Sequence, residues 1–344
     1  MAAPHLQPVR DRSAWSGAAL AGTDDWIYRL SAADIAELER AVAHAGRTGK
    51  ALTRLEKDDF PLPTLDATLA GIAREVDEGR GFHLIRGFPA ERYAEAESAI
   101  ALWGIAARLG RVISQNGYGD LLGHVRDQGR KLGEKDVRGY DTTAELRFHN
   151  DECDIIALMC LRTAQEGGLS SVVSSTEVFN RLLETRPALL PRLFEGYVFS
   201  LMGEQRPGVG PVSDRKIPIY SWHAGRLSCR YTINTVLQAS RYGVELTEEE
   251  RAILFAPLEA ARAPGVALTF ALEVGDIQFN NNLSTLHQRT TYVDWEAPER
   301  KRHLLRIWLA SHNARSLAPE FEQRFNGGWS FRRGIPATKV REAC

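Results

Sequence analysis

Apolar residues recur at three- and four-residue steps through the first third of the chain, which is the spacing of amphipathic helices. The segment "SAADIAELERAVAHAG" predicts a helix with Ser31 as N-cap, Asp34 three residues later and Gly46 as its end. Residues 65–79 predict a second helix, and "AESAIALWGIAARLG" predicts a buried helix that Gly110 closes. The N-terminal region is therefore expected to be mainly helical.

From about residue 111 the pattern changes to short β-type runs that Gly, Asn or Asp interrupt. Two helical segments lie among them. One is "STEVFNRLLETRPALLPRLFEG", which Pro187 breaks, and the other is "LTEEERAILFAPLEAA", which a capping box of Thr247 and Glu250 opens. The stretch "YSWHAGRLSCRY" predicts a hairpin that turns at His223–Gly225.

Many short strands without regular strand–helix alternation argue against a doubly wound parallel sheet. They predict a mainly β protein with helical additions, built on a double-stranded β-helix, or jelly roll. We expect a helical extension over residues 1–80, packed on the core, and a jelly-roll domain over 81–314 with a helical insertion at about 176–262. Residues 315–344 are expected to be a C-terminal tail, and no fold is predicted after Ser311.

Composition and charge narrow the possible partners. The 344 residues are 44% hydrophobic and 25% charged, which is ordinary for a globular protein. The formal net charge of -1 offers no basic excess for nucleic acid or an acidic membrane. No long apolar segment or secretory signal is evident. The four cysteines form no C-x-x-C pair, so we expect reduced thiols, a cytoplasmic protein and a small-molecule substrate; a homo-oligomer is compatible with the composition.

Several common catalytic signatures are absent from the sequence. "GRTGKA" is no phosphate loop, because His44 stands where the first glycine belongs and Ala51 follows the lysine. The chain has no G-x-G-x-x-G, no G-x-S-x-G and no H-E-x-x-H. The usual nucleotide-binding, serine hydrolase and zinc protease motifs therefore do not explain it.

The stretch "ELRFHNDECDIIALMC" carries the first candidate chemistry. On an extended segment, His149 and Asp151 would project to the same side while Asn150 turns away. The best third ligand is His287, which follows another β-run. Two histidines and one carboxylate on one face of an octahedral ion form the facial triad of non-haem Fe(II) oxygenases. The H-x-D spacing by itself also fits an ordinary polar turn.

Two arginines add to this pattern. Arg302 and Arg306 are four residues apart on a predicted strand and therefore lie on one face, together with Leu304 and Trp308. Buried guanidinium groups need anionic partners, and a bound dicarboxylate would supply one. The alternative is an exposed edge strand in which arginine deters aggregation. Near the proposed ligands, Asp154 is interpreted as a structural hydrogen-bonding group.

The order "F-H-N-D … GG-x-S … N-N-x(4)-H-x-R … R-H-L-L-R" resembles the taurine dioxygenase-like branch of the Fe(II)/2-oxoglutarate-dependent oxygenases, over roughly residues 80–312. The resemblance implies Fe(II) as metal, 2-oxoglutarate as co-substrate and O2 as oxidant. It implies oxidation of an unactivated C–H bond, by hydroxylation or, as in some members, by desaturation or ring formation, with 2-oxoglutarate decarboxylated to succinate. The iron ligands that it implies are His149, Asp151 and His287.

The same resemblance assigns further site residues. Arg302 would bind the far carboxylate of 2-oxoglutarate, Ser170 would stand in for a threonine at that carboxylate, and Arg306 would approach the substrate anion or the co-substrate. Asp151 argues against a halogenase, because halogenating relatives have a small residue there. Candidate substrate residues, which suggest an amino acid or another small carboxylate or sulfonate, are Gln115, Asn116, Tyr118, Trp222, Arg230 and Arg306.

Two other functions remain open at this point. A cupin-like Zn or Mn hydrolase or isomerase would use the same ligands without 2-oxoglutarate, and Arg302 would then be structural. A non-catalytic jelly-roll binding module would use none of this chemistry. Arg289, two residues after His287, is interpreted either as part of an anion-binding rim or as a brace for the strand that carries His287.

Overall fold

The computed structural model of the protein describes residues 5–130, 138–325 and 328–340, with side chains for all of these except residues 324 and 325. The α-helices in these ranges are α1 (Gly17–Leu20), α2 (Ala32–Arg47), α3 (Leu65–Glu78), α4 (Glu95–Ala106), α5 (Ser175–Thr185), α6 (Leu190–Glu195), α7 (Ile233–Gln238), α8 (Glu248–Ala261) and α9 (Pro319–Glu322).

The strands in the same ranges are β1 (Ile27–Arg29), β2 (Phe82–Arg86), β3 (Gly110–Ile113), β4 (Leu122–Val125), β5 (Leu146–His149), β6 (Ile155–Arg162), β7 (Glu166–Gly167), β8 (Ser170–Ser174), β9 (Tyr220–His223), β10 (Arg226–Cys229), β11 (Leu268–Phe270), β12 (Ile277–Asn281), β13 (Thr285–Arg289), β14 (Tyr292–Val293), β15 (His303–Ser311), β16 (Gln323–Phe325) and β17 (Trp329–Ser330).

The predicted capping boxes are confirmed, but the prediction that Gly46 ends α2 is wrong. The helix continues through Arg47, and the glycine with a left-handed φ, of 67°, is Gly49. Ser31 and Asp34 form the capping box of α2. Thr247 and Glu250 form that of α8. Helix α4 ends earlier than predicted, because Gly110 is already the first residue of β3. A Cβ at this glycine would lie 2.5 Å from the Ala310 carbonyl oxygen, so the close approach of β15 explains the residue better than a helix end does.

The larger sheet has the order β1-β2-β12-β6-β15-β3, and β4 also pairs with β15. Its pairs are antiparallel except β1 with β2. Strand β15 is buried on both faces: Leu305, Ile307 and Leu309 pack in the core that α2, α3 and α4 complete. The alternate residues, among them Arg306 and Trp308, therefore point into the interior of the jelly roll.

The smaller sheet has the order β11-β8-β13-β5, and its outer face is covered by α5, α6 and α8. Residues of both sheets share one further core, for example Phe82 and Leu304 of the larger sheet with Val172 and Leu268 of the smaller. Two facing sheets with helices outside each confirm the predicted jelly roll with helical additions.

The chain after Ser311, for which no fold was predicted, packs against the jelly roll. Helix α9 and the β16–β17 pair form there, and Phe321 and Phe331 are buried. Arg332 donates from Nε to both carboxylate oxygens of Asp154, at 2.9 Å each. The local sequence pattern did not predict this structure, because the position of the segment depends on contacts with residues distant in the sequence.

Smaller predictions can also be compared with the structure. The β9–β10 hairpin turns at Ala224 and Gly225, which have φ of 48° and 76°, so the predicted hairpin is confirmed. Cys153, Cys160 and Cys229 are buried free thiols, whereas Cys344 lies outside the described residues. No helix within the described ranges has the length and apolar character that crossing a bilayer requires.

Candidate metal centre and active site

The two proposed histidine ligands are neighbours across a strand pair. His287 of β13 and His149 of β5 are direct antiparallel partners, and their ring centroids lie 4.4 Å apart. Directly opposed residues of an antiparallel pair project to the same side of the sheet. The strand register alone therefore places both imidazoles at one point inside the jelly roll.

Asp151 completes the group two residues after β5. Its carboxylate oxygens lie 3.9 Å from His149 Nε2 and 4.0 Å from His287 Nε2. Asn150 between the ligands turns away, and its side chain donates to the carbonyl oxygens of Asn282 and Thr285 at 2.7 and 2.8 Å. These buried hydrogen bonds hold the H-x-D segment in one conformation, in which His149 and Asp151 face the same point.

The protonation states of the three side chains suit a divalent metal. His149 Nδ1 donates to the Arg147 carbonyl oxygen at 2.7 Å, which leaves the lone pair on Nε2 for a ligand. Burial, with the charge of His149, lowers the pKa of His287 to about 3, so its ring is neutral. Burial opposes ionisation of Asp151, but Arg306 and both histidines outweigh it and hold the pKa below its usual value. Ligand atoms of all three lie within 4.8 Å of one another.

Trp308 supports the carboxylate ligand. Its Nε1 donates to Asp151 Oδ2 at 3.2 Å. The sequence placed Trp308 on the same face as the two arginines but gave it no role. Hydrogen bonds of this kind orient a metal ligand and usually affect metal affinity.

A second group of potential ligands comprises Glu95, His124 and His303. Arg162 Nη2 lies 3.0 Å from His303 Nδ1, and because arginine can only donate, that nitrogen accepts. The proton of His303 is then on Nε2, which lies 2.9 Å from His124 Nδ1 and donates to it. His303 Nε2 and His124 Nδ1 are thus hydrogen-bonded to each other and do not offer lone pairs to a metal. This favours the His149–Asp151–His287 group as the metal centre.

A cavity of about 470 Å³ opens above the triad, and its lining includes Ser170, Arg302 and Arg306. Arg302 is 5% exposed, and its Nη1 is buried with no hydrogen-bond partner among the described residues. Burial lowers the pKa of this guanidinium. Ser170 donates to Gln278 Oε1 at 2.7 Å. The cavity thus holds a buried cation that has no carboxylate oxygen within 4.0 Å among the described residues.

Arg306 is held beside this cation by two contacts. Its Nε donates to Gln115 Oε1 at 2.6 Å, and its guanidinium carbon lies 4.2 Å from the centroid of the Tyr140 ring. Within the described residues, no carboxylate oxygen lies within 4.0 Å of the nitrogens of Arg306. Gln115 also donates to the Arg306 carbonyl oxygen at 3.1 Å, so it positions the arginine. Tyr140 had no signal in the sequence.

The remaining predicted substrate residues are dispersed. Asn116 and Tyr118 line a second cavity, of about 1260 Å³, which adjoins the first and shares Gln115, Arg302 and Arg306 with it. Trp222 stacks on His5 with ring centroids 3.7 Å apart, and Arg230 pairs with Glu152 at 2.8 Å. In the described part of the chain, the structure brings neither Trp222 nor Arg230 to these cavities.

A jelly-roll core that brings two histidines and a carboxylate together beneath an open cavity is the arrangement of a non-haem iron oxygenase. A family model for the Taurine catabolism dioxygenase TauD, TfdA family matches residues 48–308, and the chain belongs to this family. It is a non-haem iron dioxygenase. Fe(II), 2-oxoglutarate and O2, which this family uses, are the metal, co-substrate and oxidant predicted from the sequence. Family membership disfavours both the hydrolase or isomerase and the binding-module alternatives.

Two relatives resemble most of the chain. It is 33% identical to FR-33289 synthase of Streptomyces rubellomurinus over 316 residues, covering 90% of this chain and 93% of that one. It is 32% identical to the taurine hydroxylase-like protein SAT17 of Stachybotrys chartarum over 312 residues, covering 87% and 79%.

Solved structures share the fold at lower identity. Asparagine oxygenase in complex with Fe(II), 2S,3S-3-hydroxyasparagine and succinate matches with a TM-score of 0.64 and 19% identity, covering 83% of this chain and 93% of that one. The non-haem iron oxygenase OrfP in complex with Fe and alpha-ketoglutaric acid matches with a TM-score of 0.59 and 14% identity, covering 83% and 94%.

Proposed function

We propose that this protein couples decarboxylation of 2-oxoglutarate to hydroxylation of an unactivated C–H bond in a small polar substrate with an anionic group. The observation that carries the proposal is the buried Arg302 beside the triad, whose Nη1 has no partner among the described residues. A buried guanidinium without an anion is costly, so the site is built for an anionic ligand. The far carboxylate of 2-oxoglutarate meets this need.

The chain's own residues have separate tasks in this reaction. His149, Asp151 and His287 would hold the iron, which supplies the site for O2 activation. Arg302 would bind the far carboxylate of the co-substrate through two parallel N–H donors. Ser170, which now donates to Gln278, would turn its hydroxyl toward the same carboxylate. The cavity above the triad would exclude water from the reacting C–H bond.

Arg306 is our candidate for the substrate's anionic group. It is 6% exposed, lines the cavity, and is fixed by Gln115 and Tyr140. A cavity of about 470 Å³ lies in the range usual for small ligands. The names of the structural neighbours include hydroxyasparagine and hydroxy-L-Arg, which supports an amino acid as substrate, with another small carboxylate or sulfonate as the wider class. A cytoplasmic location and a homo-oligomer stay predictions.

The proposal can be tested with purified protein and Fe(II), first without oxygen to measure 2-oxoglutarate binding and then with oxygen to measure succinate. We expect succinate to form slowly alone and faster with a matching amino acid or sulfonate. The variant Arg302→Gln should weaken 2-oxoglutarate binding at least about tenfold and leave Fe(II) affinity unchanged, since it removes a bidentate charged pair. His149→Ala should weaken Fe(II) binding.

The matched control is Arg300→Gln, because Arg300 is exposed and lies over the ring of Trp295, at 3.6 Å. It should behave as wild type in both assays. Unchanged 2-oxoglutarate affinity in Arg302→Gln would rule out the assigned co-substrate site. Unchanged Fe(II) affinity in His149→Ala would rule out the metal centre.

A further inference from the structure

Arg289 is a second buried arginine at the same site. It lies in β13 two residues after His287, so both side chains point to the same side of the strand. Its direct partner in β8 is Ser170. Arg289 is 5% exposed and lines the same cavity as Arg302 and the triad. Two strands therefore bring Arg289 to the side of the cavity where Ser170 lies.

The hydrogen bonding of Arg289 is incomplete. Nη2 donates to the carbonyl oxygens of Thr142, at 2.8 Å, and Ala144. Nε and Nη1 are buried with no partner, and within the described residues no carboxylate oxygen lies within 4.0 Å of this guanidinium. The backbone carbonyls anchor the guanidinium at Nη2, and Nε and Nη1 are left for a ligand.

Arg289 and Arg302 form a pair of cations around one aromatic ring. Their guanidinium carbons lie 4.7 Å and 5.2 Å from the centroid of the Tyr292 ring. Contacts with an aromatic face offset part of the cost of burying a cation but supply no negative charge. Among the described residues, no carboxylate oxygen lies within 4.0 Å of either guanidinium. Burying two positive charges in this way is costly, and the cost falls when a carboxylate enters.

We propose that Arg289 is a specificity-determining residue for the co-substrate, which binds the far carboxylate of 2-oxoglutarate with its free edge alongside Arg302. This inference rests on the proposed function. Two guanidinium groups at one end of the cavity select a 2-oxo acid with a second carboxylate over one without it. The anchored edge ties the same arginine to residues 142–144, which lead into β5 and His149.

The test compares two ligands by calorimetry on the Fe(II)-loaded protein without oxygen. 2-Oxoglutarate carries both carboxylates, and 2-oxobutyrate has the same 2-oxo acid head without the far carboxylate. In Arg289→Gln we expect the affinity for 2-oxoglutarate to fall by about 10- to 100-fold, as for loss of a charge-assisted pair. The affinity for 2-oxobutyrate and for Fe(II) should stay as in wild type.

Arg147→Gln is the matched control, because Arg147 lines the same cavity but is exposed and contacts Phe255. If Arg289→Gln does not fold, as judged by thermal unfolding, Arg289→Lys carries the test. It keeps the charge, loses the planar fork, and should still lower the preference for 2-oxoglutarate. An unchanged preference, or equal losses for both ligands, would overturn the inference. A wild-type protein that binds no 2-oxoglutarate would instead refute the proposed function.

Discussion

The contact between Arg332 and Asp154 should be a main support of the C-terminal segment. Asp154 is 1% exposed, and burial raises its pKa although Arg332 acts in the opposite direction. Replacing Arg332 with alanine would leave a buried carboxylate that keeps one backbone donor, the N–H of Ser311 at 3.1 Å. Loss of one partner of a buried ion pair costs roughly 3–5 kcal/mol, and the remaining hydrogen bond favours the lower end, about 3 kcal/mol.

The assay is urea-induced unfolding followed by circular dichroism at neutral pH. The matched control is Arg333→Ala, because Arg333 is the exposed neighbour that contacts Trp329, and a change within about 0.5 kcal/mol is expected there. Adding Asp154→Asn to Arg332→Ala should recover part of the loss, since it removes the unpaired charge. The loss should also shrink at acidic pH, where the carboxyl is protonated. A free energy of unfolding for Arg332→Ala equal to that of the control would refute the reasoning.

Three further predictions follow from single contacts. Trp308→Phe removes the donor to the carboxylate ligand and should weaken Fe(II) binding about 10- to 100-fold in a competition titration, with unfolding little changed. Burial raises the pKa of Asp77 to about 6 despite the hydrogen bond from Ser311, so its folded form retains a proton that the unfolded chain releases near pH 4. The stability that this proton contributes should therefore fall by roughly 2.4 kcal/mol as pH rises from 4 to 7, and a free energy of unfolding for Asp77→Asn with the same pH slope would contradict this. In Gly275→Ala the new Cβ would lie 1.7 Å from the Phe88 carbonyl oxygen, at a φ of 88°, so a lower melting temperature is expected, and an unchanged one would show that the turn can adapt.

Local pattern was sufficient for most helices and strands before Ser311 and for the kinds of side chain proposed as ligands. The capping residues of α2 and α8 lie beside their helices, so their effect is readable from the sequence. The alternation of the predicted strand placed Arg302 and Arg306 on one face because a strand has a period of two. Both arginines line the cavity, although Arg302 lies one residue before β15, where the pairing with β6 shifts register. His149 and Asp151 were found in the same way.

The tertiary structure decided which of these residues meet. His287 joins His149 because β13 and β5 are paired in a particular register, and no local signal fixes that register. Arg230 and Trp222 looked like substrate residues by chemical type, but Arg230 pairs with Glu152 and Trp222 stacks on His5.

Which charged side chains are paired could also be seen only in the folded chain. The sequence has basic and acidic residues in nearly equal number, 43 Lys and Arg against 44 Asp and Glu, so nothing marks Arg289 or Arg302 as unpaired. Burial, together with the absence of a carboxylate within 4.0 Å among the described residues, is what supports the proposal that both arginines bind an anion. Sequence determined the strands, the caps and the kinds of ligand, because these depend on near neighbours. Strand register and burial determined the site, because they depend on residues far apart in the chain.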